Sequence, residues 1–338
     1  MTSTSADRPG LAWSWPACAR GLLYALPAVV AGWDDPARGI ALAVGVLPAA
    51  AVGMPPRRKA RLSIVVFGVC VGAPMVLGAL LAPTGWAAVA AVFVLAVAAA
   101  LLAAGRRAGV LAMSLCLPMV GVGLSFAEVG DALRAAGLIL AGSLYACLLS
   151  MAWPQQPVNP DAQRAPPPLR GRREALHYGL RLGAAGAIAA AAGLAWAPTH
   201  PGWPVAAALL VMRPGVQAQR TRSLGRVLAV LAGSATAIVL LAVAPPPWVY
   251  ALVAGAVIAL AAGTQGSRWY VLPAFSTVLV LLLLQIGPGQ ESDSVTVPER
   301  IAATLVGVAL AWLFGILPER RARSGPPGAE GQTRPGLN

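Results

Sequence analysis

Long runs of uncharged apolar residues most limit what this chain can fold into. Its residues are 58% hydrophobic and 11% charged, whereas a soluble domain carries about 25% charged residues. About 20 apolar residues are enough to cross the hydrocarbon core of a bilayer as a helix. The sequence therefore predicts an all-α integral membrane protein.

Twelve apolar segments lie between breaks rich in Pro, Gly and Asp. They cover 17–33, 38–53, 62–82, 86–104, 109–127, 133–153, 176–196, 202–217, 224–244, 248–264, 269–287 and 300–317. The Pro-rich polar stretch 154–175 separates the sixth segment from the seventh. We therefore predict an N-terminal tail (1–16), a six-helix unit (17–153), a linker (154–175), a second six-helix unit (176–318) and a disordered tail (319–338).

The positive charge is unevenly distributed along the chain, which has a net charge of +13. If the N-terminus is cytoplasmic, all but three of the 25 Lys and Arg residues fall on the cytoplasmic side. This asymmetry is typical of membrane topology. It predicts a multi-pass protein of the inner (plasma) membrane with both termini in the cytoplasm, and it argues against nucleic-acid binding. Five tryptophans fall at predicted outer helix ends, where indoles favour the membrane interface: Trp33, Trp86, Trp196, Trp203 and Trp248.

The two six-helix units correspond in order and character. "MPPRRKARL" at 54–62 matches "MRPGVQAQRTRSLGR" at 212–226, each between the second and third helices of its unit. Because each unit has an even number of helices, the units are predicted to be parallel repeats with a cleft between them. The second helix of each unit is interrupted by Pro or Gly, which favours a substrate site there. Irregular packing is the alternative.

Three motifs in the second unit point to a known family. Trp203 opens a short helix that runs to Arg213-Pro214, an Arg-rich loop leads into the segment from Arg226 to Gly233, and "ERIAATLVG" at 299–307 precedes the last helix. With these motifs, residues 176–320 resemble the fusaric acid resistance and aromatic acid exporter families, which are distantly similar to plant aluminium-activated malate transporters. The resemblance implies an exporter of organic carboxylate anions, including aromatic ones. A passive anion channel, or a non-transporting membrane protein with polybasic loops, stays open.

Candidate binding residues follow from position within the repeats and from chemistry. A guanidinium can hold a carboxylate through two hydrogen bonds, and small residues let helices approach closely. The substrate-binding candidates are Arg20, Arg181, Trp203, Arg213, Arg226, Arg300 and Thr304, and the helix-packing candidates are Gly68, Gly233 and Gly307. For the arginines the alternatives are anchoring a cytoplasmic loop or reaching lipid headgroups. The expected partners are the lipid bilayer and a small organic anion, and a homodimer stays open.

Catalytic and metal motifs are missing from the sequence. His177 and His200 have no metal-ligand partner at useful spacing, and all four cysteines lie in apolar segments. We therefore expect no enzymatic activity, no cofactor and no metal. The acidic residues lie near outer helix ends and none is mid-helix, so no residue for proton coupling is identified. The weak candidates for that role are Glu128, Asp131 and Glu299. Glu299 and Asp131 are expected to pair with the nearby Arg300 and Arg134.

Overall fold

The computed structural model describes residues 12–104, 107–155, 171–196, 200–212, 214, 245–267, 271–286 and 296–323, with scattered positions between 225 and 243. Arg213, Arg226 and Gly233 lie outside the described residues, as do the linker residues 156–170 and the tail after residue 323. The side chain of Arg300 is likewise outside the description.

Helices make up all the regular structure in these residues. They are α1 (Trp15–Gly32), α2 (Pro36–Val52), α3 (Arg58–Arg61), α4 (Ser63–Leu81), α5 (Trp86–Leu102), α6 (Arg107–Leu111), α7 (Leu117–Gly123), α8 (Val129–Met151), α9 (Arg172–Trp196), α10 (Gly202–Val211), α11 (Pro247–Gly263), α12 (Val271–Ile286) and α13 (Thr296–Arg323). A π-helical turn, Ala112–Cys116, joins α6 to α7. The all-α class is confirmed.

Length and composition identify three candidate membrane spans in the described residues: Arg58–Thr84, Val129–Met151 and Arg172–Trp196. Six further helices are apolar but shorter, among them Trp86–Leu102 and Pro247–Gly263. These helices point to a membrane protein. The arrangement of twelve spans in two repeats stays a prediction.

Local sequence explains where the first helices begin. The side chain of Ser14 accepts a hydrogen bond from the backbone N–H of Ala17, and Asp35 accepts one from the N–H of Arg38. Each cap is followed by a proline in the first turn, where the missing N–H costs nothing. The Asp-Asp-Pro break after Trp33 therefore ends one helix and starts the next.

The outward faces of several helices are apolar. On α4, Val66, Val69 and Leu80 are exposed, and the helix contains no charged residue. On α5 and α8, Val94 and Leu148 are exposed as well. Because water disfavours such continuous apolar faces, we expect lipid to cover them.

Two antiparallel helix pairs join the predicted halves. In the first, Gly21 near the start of α1 lies against Ala259 and Ala262 near the end of α11, and Gly32 lies against Ala251. In the second pair, α9 packs on α5. There Gly179 lies against Val97 and Ala100, and Gly186 lies against Val92.

The apolar clusters also draw on both halves. One cluster combines α1, α2 and α8 with α11, through residues such as Tyr24, Val46 and Ile258. Another combines α5 and α7 with α9 and α10, through residues such as Val92 and Leu209. Each half therefore completes part of the other's core.

Candidate functional site

Of the helices described in the predicted second unit, α10 is the shortest. It has ten residues, about 15 Å of rise, which is half the thickness of a hydrocarbon core. Residues 202–209 are all buried, and α10 packs between α7, α9 and α13. The sequence predicts a shortened helix here, and the structure shows that α7, α9 and α13 enclose it.

Close backbone approach fixes the start of α10. A Cβ atom on Gly202 would overlap the carbonyl oxygen of Gly121 at the end of α7. The hydroxyl oxygen of Ser125 accepts a hydrogen bond of 3.2 Å from the Gly202 N–H. The π-helical turn 112–116 precedes α7, and such turns are frequent at functional sites. The irregular parts of the fifth and eighth predicted segments are therefore in contact.

A buried polar cluster lies where α10 and α13 begin. The ring of His200 stacks on Trp203 with centroids 4.0 Å apart and an interplanar angle of 17°. Nδ1 of His200 lies 4.0 Å from Oε2 of Glu299. Thr304, one turn further along α13, is also buried. We name His200, Trp203, Glu299 and Thr304 the α10–α13 junction.

The sequence singled out Trp203 and Thr304 of this junction and missed the contact of His200 with Glu299. It placed Trp203 at the membrane interface, whereas the structure shows Trp203 at 1% exposure because its ring is enclosed by α7, α13 and His200. It left His200 without a partner and expected Glu299 to pair with Arg300. His200 and Glu299 are 99 positions apart, so no local spacing could have revealed their contact. The pairing of Asp131 with Arg134 was foreseen, and their side chains lie 3.5 Å apart.

The predicted packing glycines that can be described lie at close helix contacts. A Cβ atom on Gly307 would meet the carbonyl oxygen of Pro204 at 2.6 Å and Cβ of Ala207 at 2.7 Å. One on Gly68 would overlap the side chain of Ser143 on α8. Gly307 therefore positions α13 directly against the short helix.

Arg20 and Arg181 lie on different helix pairs. Arg20 is half-buried on α1, which packs on α11, and its charge acts on the buried Tyr24 one turn away. Arg181 is half-buried on α9, which packs on α5, with its guanidinium carbon 6.0 Å from the ring centre of Tyr178. The two arginines thus occupy comparable places beside buried tyrosines.

Arg61 is fully buried, although it precedes an apolar helix. Its Nε donates to the carbonyl oxygen of Pro55, and its Nη1 and Nη2 donate to the carbonyls of Ser150, Trp153 and Pro154. These last three carbonyls follow or end α8, where backbone acceptors lack helical partners. Arg61 therefore caps α8 and fixes the start of α4 to it.

Side chains that commonly bind metals do not cluster in the described residues. Within the described ranges, no three His, Cys, Asp or Glu side chains come together as a metal site would require. The four cysteines are free thiols at intermediate or buried positions.

Comparison with known proteins agrees with the resemblance proposed from the sequence. Residues 184–314 match the family described as fusaric acid resistance protein-like. The second half of this chain is therefore similar to that family. The match covers α10, α11, α12, most of α9 and the part of α13 that holds Thr304 and Gly307. No curated protein and no solved structure matches the chain.

Proposed function

We propose that this chain is a multi-pass inner-membrane transporter that exports organic carboxylate anions, including aromatic ones, along a path between two parallel six-helix repeats. The observation that carries the proposal is the fusaric acid resistance protein-like region at 184–314. The apolar outward faces of helices such as α4 and α5 support a membrane location.

Helix packing supports the repeat. Under exchange of the halves, the α1–α11 pair corresponds to α9–α5, and α2–α8 corresponds to α10–α13. The contacts α2–α12 and α1–α2 likewise correspond to α10–α7 and α9–α10. Corresponding contacts of this kind are expected if the halves are repeats of one unit and are not expected if they are unrelated.

The α10–α13 junction supplies the proposed recognition site. An interrupted or shortened helix near the middle of a membrane leaves backbone groups that a substrate can use. Trp203 offers an aromatic surface and Thr304 a hydroxyl, both buried at the start of these helices. In the sequence, Arg213 follows α10 and Arg300 precedes Thr304 by four residues. We propose Arg213 and Arg300 as cations that bind the anion at the junction. Arg20 and Arg181 lie on other helix pairs, and we propose that they and Arg226 attract the anion toward the path.

Flux measurements test this function. In proteoliposomes containing the full chain, we expect efflux of radiolabelled benzoate. Arg300→Gln or Thr304→Val should reduce the efflux about ten-fold, because each removes a hydrogen bond to a charged group. Arg58→Gln, at an exposed position on α3, is the matched control and should leave efflux unchanged.

Two outcomes would contradict the proposal. Equal efflux from the wild type and from protein-free liposomes would exclude benzoate transport. Unitary currents in a voltage-clamped bilayer without any gradient would assign a passive channel instead.

A further inference from the structure

Two ionisable side chains from distant parts of the chain meet in the α10–α13 junction. His200 is 5% exposed, and the side chain of Glu299 is 14% exposed. The imidazole has Trp203 stacked on one face and the carboxylate 4.0 Å from Nδ1. The sequence offered Glu299 as a weak candidate for proton coupling and gave His200 no role.

We propose that His200 and Glu299 form a proton-binding site whose occupancy controls the affinity of the junction for an organic anion. The proton-binding part stands on the geometry of the pair alone. The link to an anion rests on the proposed function.

Other charges in the described structure lie elsewhere. The helix α7, which packs on α10, has no ionisable side chain. Cys116 precedes this helix, and Glu128 follows it in the loop. The ionisable groups of α9 are all in its first ten residues, whereas Gly193 near its other end contacts Pro201. That separation is at least about 18 Å along the helix. These α9 groups are Arg172, Arg173, Glu174, His177, Tyr178 and Arg181. On α8, Asp131 and Arg134 pair with each other. Among the described side chains, Glu299 is the charged group in contact with His200.

The charge of the pair changes by one unit when it binds a proton. Neutral imidazole beside carboxylate carries a charge of −1, whereas the protonated pair is neutral overall. Within a buried site this change is poorly screened, so it acts strongly on neighbouring charges. Histidine undergoes it near neutral pH.

This change in charge alters the electrostatic energy of an anion bound beside Trp203 and Thr304. The anion is repelled by the pair at −1 and is not repelled after protonation, so proton and anion favour each other's binding. Linkage requires the effect to be reciprocal. A bound aromatic carboxylate should therefore raise the proton affinity of the pair.

Nitrogen-15 NMR of histidine-labelled full-length protein in liposomes tests the site directly. The chain has two histidines, and His177→Gln assigns the His200 signals by removing the others. We expect His200 to titrate between about pH 4 and pH 9. Glu299→Gln should move its midpoint to lower pH by roughly one unit, because the carboxylate no longer stabilises the imidazolium. Glu174→Gln, near His177 and far from His200, is the control and should leave the His200 midpoint in place.

Benzoate and its neutral analogue benzyl alcohol test the linkage. Saturating benzoate should raise the His200 midpoint by roughly one unit, a ten-fold change in proton affinity, and benzyl alcohol should not. In flux assays the pH dependence of benzoate efflux should be lost in both His200→Gln and Glu299→Gln.

The outcomes separate the two proposals. A His200 signal that does not titrate, or whose midpoint is the same in Glu299→Gln, overturns the proton site. A midpoint insensitive to benzoate in protein that does transport benzoate overturns the linkage. Absence of benzoate efflux from the wild type at every pH overturns the proposed function while leaving the titration of His200 to decide the proton site.

Discussion

At the scale of single residues, Arg61 shows how a cation can be used structurally in an apolar chain. Four of its N–H groups reach backbone carbonyls, three of them at the end of α8. A cation is favoured there because helix C-termini carry partial negative charge. The thiol of Cys147 also lies 3.5 Å from the carbonyl oxygen of Arg61. Arg61 therefore joins α3 to α8, although it is 89 positions from Ser150 in the sequence.

Replacing this side chain should destabilise the fold. Arg61→Gln leaves several buried carbonyls without donors, and loss of one partner from a buried charged network costs about 3–5 kcal/mol. We expect a clear fall in the free energy of unfolding measured by denaturant titration in detergent.

The neighbouring Arg58 provides the control. Its side chain is exposed, so Arg58→Gln should change stability by no more than about 0.5 kcal/mol. Equal effects of the two substitutions would show that burial of Arg61 has no energetic consequence.

The sequence identified Arg61 only as part of the basic stretch at 54–62, between the second and third predicted helices. A cluster of charge beside apolar segments is a local property and could be recognised without the structure. The acceptors of Arg61 are backbone carbonyls on another helix, and no residue type marks such groups. For the same reason the contact between His200 and Glu299 was not foreseen: packing brings them together, and packing of apolar helices leaves little trace in sequence.

At the scale of helices, the close contact of α10 with α13 depends on Gly307. The carbonyl oxygen of Pro204 lies 2.6 Å from where the Cβ of any larger residue at 307 would sit, which is too close for an unshifted contact. The sequence predicted both the short helix, from Pro201 and Pro214, and a packing role for Gly307, from its position in the repeat. It could not predict that α10 would be enclosed, since its residues are as apolar as those facing lipid elsewhere.

Gly307→Ala should push α13 away from α10. Overpacking of this kind costs typically 1–3 kcal/mol, so we expect lower stability together with reduced benzoate efflux. Thermal unfolding and flux on the same preparation measure both.

Gly137 on α8 is the matched glycine, because a Cβ there would meet nothing within 4 Å. Gly137→Ala should be neutral or stabilising by up to about 1 kcal/mol, as alanine favours helix. If Gly307→Ala behaves like Gly137→Ala, the contact between α10 and α13 is not tight in solution.

At the scale of the whole molecule, the predicted boundary at the linker does not coincide with a boundary in packing. The helix α1 is packed on α11, and α9 is packed on α5. Charge placement and segment count predicted the halves, because both are local properties. The exchange of helices between them is set by small residues such as Gly21, Ala259, Gly179 and Ala100, which are too frequent here to serve as a signal.

The halves should therefore depend on each other. Residues 1–155 and 171–338 expressed from separate plasmids should copurify when produced together, because each supplies helices that complete the other's apolar cluster. Affinity capture of a tag on one half, followed by detection of the other, measures this. Stable accumulation of either half alone, with the same protease resistance as in the pair, would contradict it.

The exposed indoles at one end of the two antiparallel pairs have a consequence for how the molecule sits in a bilayer. Trp33 and Trp248 lie together at one end of the α1–α11 pair, with ring centroids 6.2 Å apart, and Trp196 and Trp86 occupy the corresponding end of the α9–α5 pair. Indoles partition to the headgroup level. Four such anchors on two separate helix pairs would fix both depth and tilt, so a thinner bilayer must deform around the protein rather than let it lean.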